Sequence, residues 1–189
     1  MTLLLAGILL WSITHLFKAV APGARSRLVG KFGLGPYKGF ITLAIVIAVV
    51  FIVWGWRMTT PVALYAPPLY GSPIPALGIL LAVVLFVTST TANNLRRLIR
   101  NPQMTAVVLW AAGHLMANGD SRSVILFGGL AIWAVLEIVF INRRDGRWQR
   151  PSAVPLAKDA VVLAIAAAVF AALAWLHEAL IGVPAISMQ

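Results

Sequence analysis

Six stretches of this 189-residue chain are apolar for about the length a helix needs to cross a bilayer, and most charged side chains lie between them. They run near 1–20, 37–56, 74–92, 102–117, 123–142 and 158–181, the fourth being the shortest. A hydrocarbon core about 30 Å thick takes roughly 20 residues of helix. The expected fold is therefore all-α, a polytopic transmembrane helix bundle of about six spans. With 61% hydrophobic and 11% charged residues the chain exceeds what a soluble domain of this size has interior for. Six spans of about 20 residues use most of the sequence, so residues 1–189 read as a single integral membrane domain.

The first run lacks a basic leader and a small-residue cleavage site and carries His15 inside, which makes it a retained span and not a signal peptide. Charge then alternates along the loops. Lys18, Arg25, Arg27, Lys31 and Lys38 follow the first run, and Arg96, Arg97 and Arg100 follow the third. Arg143, Arg144, Arg147, Arg150 and Lys158 follow the fifth. Only Arg57 and Arg122 of the 15 basic residues fall elsewhere. The positive-inside rule puts those three loops in the cytoplasm and both termini on the outer, periplasmic side. The net charge of +10 thus reads as membrane topology, with the lipid bilayer as partner and no nucleic acid.

Loop chemistry agrees with these boundaries. Pro61, Pro67, Pro68, Pro73 and Pro75 make the second connection non-helical, and Tyr65 and Tyr70 suit a membrane interface. Asp120, ahead of Ser121 and Ser123, reads as the N-cap of the fifth span. The alanine-rich last span permits close helix packing.

There is no cysteine, which excludes disulfides, thiolate ligands and a cysteine nucleophile. Ionisable groups at bilayer depth are costly and point to function. Three stand out: His15, His114 and Glu137. Trp11 and Trp110 precede the two histidines by four residues each, so each indole shares a helix face with an imidazole. Ala111, Ala112, Gly113 and Ala117 around His114 leave room for a flat ligand or a neighbouring helix.

Two readings stay open, interhelical hydrogen bonds or convergence on one metal centre. For the latter, b-type haem with His15 and His114 as axial ligands is the most economical choice. At 1.5 Å per residue the two imidazoles lie roughly 8 and 18 Å from the cytoplasmic ends of their helices. Lys18, Arg96, Arg97 and Arg100 are the cations that would meet haem propionates, unless they serve topology alone. Glu137 is expected to pair with Arg143, Arg144 or Arg97. His177 and Glu178, near the outer end of the last span, read as interfacial.

The stretches His15 to Arg27, Gly35-Pro36-Tyr37-Lys38-Gly39 and Trp54-Gly55 make one recognisable block. Arg100-Asn101-Pro102-Gln103-Met104, Trp110, His114-Leu115, Ala117-Asn118-Gly119-Asp120 and Leu126-Phe127-Gly128 make a second. Together they resemble the NnrU family over residues 1–145. The resemblance implies a multi-pass protein of the bacterial inner (cytoplasmic) membrane, linked to nitrite and nitric oxide metabolism in denitrification. Partners would be factors for the assembly or expression of nitrogen-oxide reductases. The family is similar to the plant zeta-carotene isomerases, which hold b-type haem through histidines, and the implied ligand positions are His15 and His114. The isomerases carry a cysteine close before the second histidine where this chain has Ala111, so thiolate-for-imidazole exchange is not open to it.

The Arg100 to Met104 segment also faintly resembles an element of membrane isoprenylcysteine-type methyltransferases, with Asn101 in place of its histidine and Met104 of its tyrosine. The leading expectation is a haem-binding accessory protein of nitrogen-oxide metabolism. The alternatives are a haem-dependent cis-trans isomerase of a zeta-carotene-type polyene, a membrane methyltransferase, and a structural assembly factor.

Overall fold

The computed structural model describes residues 1–69 and 72–182. Tyr70, expected at an interface, lies outside them. The described residues are helical apart from loops and one isolated bridge, and they cluster into two compact units.

The first unit comprises residues 1–64 and 120–146. Its helices are α1 (Thr2–Val20), α2 (Pro22–Phe32), α3 (Leu34–Met58) and α6 (Ser121–Asp145). α1 packs on both α3 and α6. Its contact with α3 is backbone on backbone: a Cβ added to Gly55 would fall 2.3 Å from the Leu4 nitrogen, and one on Gly7 would fall 2.7 Å from the Ile52 nitrogen. Leu4, Ile8 and Ala48 are buried at this seam. On the other side Ile8 lies over Gly129 of α6.

α6 starts where expected. The Asp120 carboxylate accepts from the backbone N–H groups of Arg122 and Ser123, both at 3.1 Å, satisfying donors that the first turn of any helix leaves open. Its second turn, Val124–Gly128, is a π-turn. Ser121 and Val62 exchange two hydrogen bonds that tie this helix start to the segment after α3.

The second unit comprises residues 65–119 and 147–189. It holds α4 (Ile74–Thr88), a 3₁₀ turn (Leu95–Arg97), α5 (Pro102–Ala117) and α7 (Ala157–Ile181). α4 packs on α5 and α7. Gly113 and the buried Ala111 let α5 approach α4, where a Cβ on Gly113 would meet Ile79 at 3.0 Å and the Pro75 carbonyl at 3.1 Å. Of the two neighbours the small residues around His114 could admit, a flat ligand or a helix, it is a helix, α4, that packs against Gly113. Val87 of α4 meets Val162 and Ala166 of α7.

Asn94, in the loop after α4, ties that loop to the segment leading into α7. Its Nδ2 donates to Asp159 Oδ2 at 2.6 Å and to the Val154 carbonyl at 2.8 Å, while its Oδ1 accepts from the Val154 N–H at 3.0 Å. Tyr65 donates its hydroxyl to the Leu115 and Asn118 carbonyls, fixing the proline-rich connection against the end of α5.

Among the described residues four helices are long and apolar enough to cross a membrane: α1, α3, α6 and α7. At 1.5 Å per residue they extend about 28 to 37 Å, whereas α4 and α5 reach only about 22 and 24 Å. α4 stops at Thr88 rather than near residue 92. Ser89 and Thr90 turn their hydroxyls back onto the Phe86 and Val87 carbonyls, a local alternative to continuing the helix. Large apolar side chains such as Leu9, Ile13, Phe40, Leu81 and Ile132 point outward, as a lipid solvent allows. One expectation was too simple: residues 22–32, read as loop, form α2.

Candidate functional site

His15 occupies the last third of α1. Its Nδ1 lies 2.9 Å from the Trp11 carbonyl one turn earlier. A carbonyl oxygen only accepts, so Nδ1 carries the proton and Nε2 the lone pair. Two indoles hold the ring. Trp11 stacks on it with centroids 4.1 Å apart, and Trp133 of α6 meets it edge-on at 5.2 Å and 69°. Trp11 and Trp133 also meet each other nearly perpendicularly at 5.5 Å. The i,i+4 pairing of Trp11 with His15 was legible in the sequence; Trp133, brought in by the α1–α6 packing, was not.

His114, in the second unit, repeats the arrangement. Its Nδ1 lies 2.8 Å from the Trp110 carbonyl, and the Trp110 ring lies 4.9 Å from the imidazole. The same argument puts the proton on Nδ1 and the lone pair on Nε2. Asn118 donates its amide to the His114 carbonyl at 2.9 Å and so secures the helix end. Each imidazole is thus oriented by a backbone carbonyl behind it, the support that ligating histidines use to fix tautomer and ring direction.

The basic candidates divide between the units. Lys18 lies three residues beyond His15, in the last turn of α1. Arg96, Arg97 and Arg100 belong with His114. Arg96 is anchored through its backbone N–H to Asn93 Oδ1, and Asn93 is itself buried and bonded to the Thr88 and Thr91 carbonyls. Arg97 has a buried Nε without a hydrogen-bond partner among the described residues. His177 is half-buried and Glu178 exposed near the end of α7.

Glu137 departs from expectation. It is 3% exposed, forms no ion pair among the described residues, and its Oε2 has no hydrogen-bond partner there. Arg144, one of its expected partners, is taken by Asp145, which follows it directly, with Nε 2.7 Å from Oδ1. The indole N–H groups of Trp11 and Trp133 are likewise buried with no hydrogen-bond partner among the described residues. Among the described residues no three His, Asp or Glu side chains gather where they could hold a bare metal ion.

The model of one protein family, NnrU protein, matches residues 3–185. The chain belongs to the NnrU family. The match takes in His15 and His114, so the resemblance first visible over residues 1–145 extends to residue 185 of this NnrU protein. No curated protein and no solved structure matches it.

Proposed function

We propose that this NnrU-family protein binds b-type haem, which His15 and His114 would hold, and acts as an accessory in nitrite and nitric oxide metabolism. The observation behind this reading is the matched support of the two imidazoles. Each has its Nδ1 proton committed to the carbonyl of a tryptophan one turn back, which directs the other nitrogen away from its own helix. Lys18, Arg96, Arg97 and Arg100 would meet the propionates. Bound haem would supply one-electron chemistry and, if one histidine leaves, a site for a diatomic ligand.

The protein's own part is orientation and exclusion. Trp11 covers one face of the His15 ring and Trp133 meets it edge-on, while Asn118 holds the end of the helix that carries His114. We place the protein in the bacterial inner membrane with six spans and both termini outside, α4 and α5 being the two short crossings. Thirteen basic residues in three alternate loops support that orientation.

The test is the visible spectrum of the detergent-purified chain, oxidised and dithionite-reduced, beside His15→Ala and His114→Ala. A Soret band with sharp reduced α and β bands that each substitution removes or shifts is expected. A colourless wild-type protein from haem-replete cells would overturn the proposal.

A further inference from the structure

α2 contributes no buried residue to its unit. It is a separate piece of helix. Ala21, with φ −127° and ψ 58°, ends α1, Pro22 opens α2, and Gly33 at φ 83° breaks the backbone again before α3. Because α1 and α3 are both of spanning length, the 11 residues that join their ends lie where those helices leave the bilayer.

At 100° per residue, Ala24, Leu28, Val29 and Phe32 share one side of α2, whereas Ser26, Arg27, Gly30 and Lys31 share the other. Arg25 is the exception on the apolar side, and its guanidinium lies over the Tyr37 ring of α3 at 5.6 Å. Leu28 is 38% and Phe32 51% exposed, so the apolar side is not consumed by the fold. Nothing lies within 4 Å of a Cβ built on Gly23 or Gly30, which leaves the polar side open as well.

The cations have no acid to answer them. Residues 1–119 contain no Asp or Glu, and the ion pairs among the described residues join Arg122 to Asp120 and Arg144 to Asp145. Among the described residues Arg25, Arg27 and Lys31 therefore have no acidic partner; they lie beside exposed Leu28 and Phe32, the Lys31 ammonium 5.3 Å over the Phe32 ring. We propose that α2 is an interfacial helix whose cations hold the phosphate headgroups of anionic phospholipids while Leu28 and Phe32 enter the acyl boundary. An acidic protein would satisfy the charges and leave the apolar side exposed.

The experiment reconstitutes the full chain in nanodiscs of mixed phosphatidylglycerol and phosphatidylcholine, and counts the lipids retained on release by native mass spectrometry. Wild-type protein should retain phosphatidylglycerol in preference. The R25Q/R27Q/K31Q variant should lose that preference by about tenfold or more, since each cation at an anionic surface is worth roughly fivefold. The charge-keeping R25K/R27K/K31R variant should retain it, and added salt should weaken it. Preference that survives the glutamine substitutions would place the lipid on another basic loop and overturn the proposal, as would equal retention of both lipids by the wild type. Should the triple variant not fold, Arg27→Gln and Lys31→Gln singly carry the same test, each expected to lower the preference several-fold.

Discussion

Replacing Gly55 by alanine puts a methyl group where α1 already stands. The new Cβ would sit 2.3 Å from the Leu4 nitrogen, 2.6 Å from Leu4 Cα and 2.9 Å from the Leu3 carbonyl carbon. These are backbone atoms of a packed helix and cannot swing aside as a side-chain tip would. Restoring ordinary contact distance requires α1 and α3 to part by about 1 Å, enough to forfeit a quarter to a half of the dispersion at each touching pair. Overpacking of this kind costs about 1–3 kcal/mol, against about 1 kcal/mol regained from the better helix propensity of alanine.

Here the obstructing atoms are backbone, so the upper part of that range applies and the net loss should be about 1–2 kcal/mol. Gly39 supplies the internal control. It lies in the same helix with nothing within 4 Å of its Cβ position, so Gly39→Ala should be neutral or stabilise by up to about 1 kcal/mol. The assay is reversible unfolding of the purified chain in mixed micelles by increasing dodecyl sulfate, followed by tryptophan fluorescence. Shifts of opposite sign are expected. A Gly55→Ala protein as stable as wild type, or two variants destabilised alike, would refute the close approach of α1 and α3.

Two further outcomes can be read in the same assay. Asn94→Ala removes three side-chain hydrogen bonds, one to a carboxylate, and should cost about 2–4 kcal/mol; a double-mutant cycle with Asp159→Ala should return a coupling of about 1–2 kcal/mol, and additivity would show the clasp to be inert. Glu137→Leu takes a poorly compensated carboxyl out of the interior and should leave stability unchanged or raise it, whereas a loss above about 1 kcal/mol would mean that Oε2 has a partner.

The long helices were legible because bilayer thickness imposes a single length on an apolar run. Residues 37–56 and 158–181 became Leu34–Met58 and Ala157–Ile181, differing only where frayed or polar ends carry no hydropathy signal. Asp120 was legible for a local reason, since a cap needs only its own next three residues. The pairing of Trp11 with His15 and of Trp110 with His114 followed from helix geometry alone. α2 was missed because Gly23, Gly30 and its polar residues argue against a helix on propensity. Pro22 at its first turn was the signal available. Trp133 beside His15 comes from how α1 meets α6, and Glu137 Oε2 lacks a hydrogen-bond partner among the described residues because of how the helices pack; no spacing along the sequence encodes either.

The π-turn at Val124–Gly128 gives α6 one residue more than an α-helix of equal rise requires. The capped start at Asp120 and the Trp133–Glu137 face are thereby held in a register that an uninterrupted α-helix would not give. A one-residue deletion inside the turn has somewhere to be absorbed: the wide turn can revert to an ordinary one while both flanks keep their contacts. The same deletion four residues further on would rotate Trp133 off the His15 ring. The turn therefore marks where this helix can gain or lose a residue in the course of evolution, and the segment after it marks where it cannot.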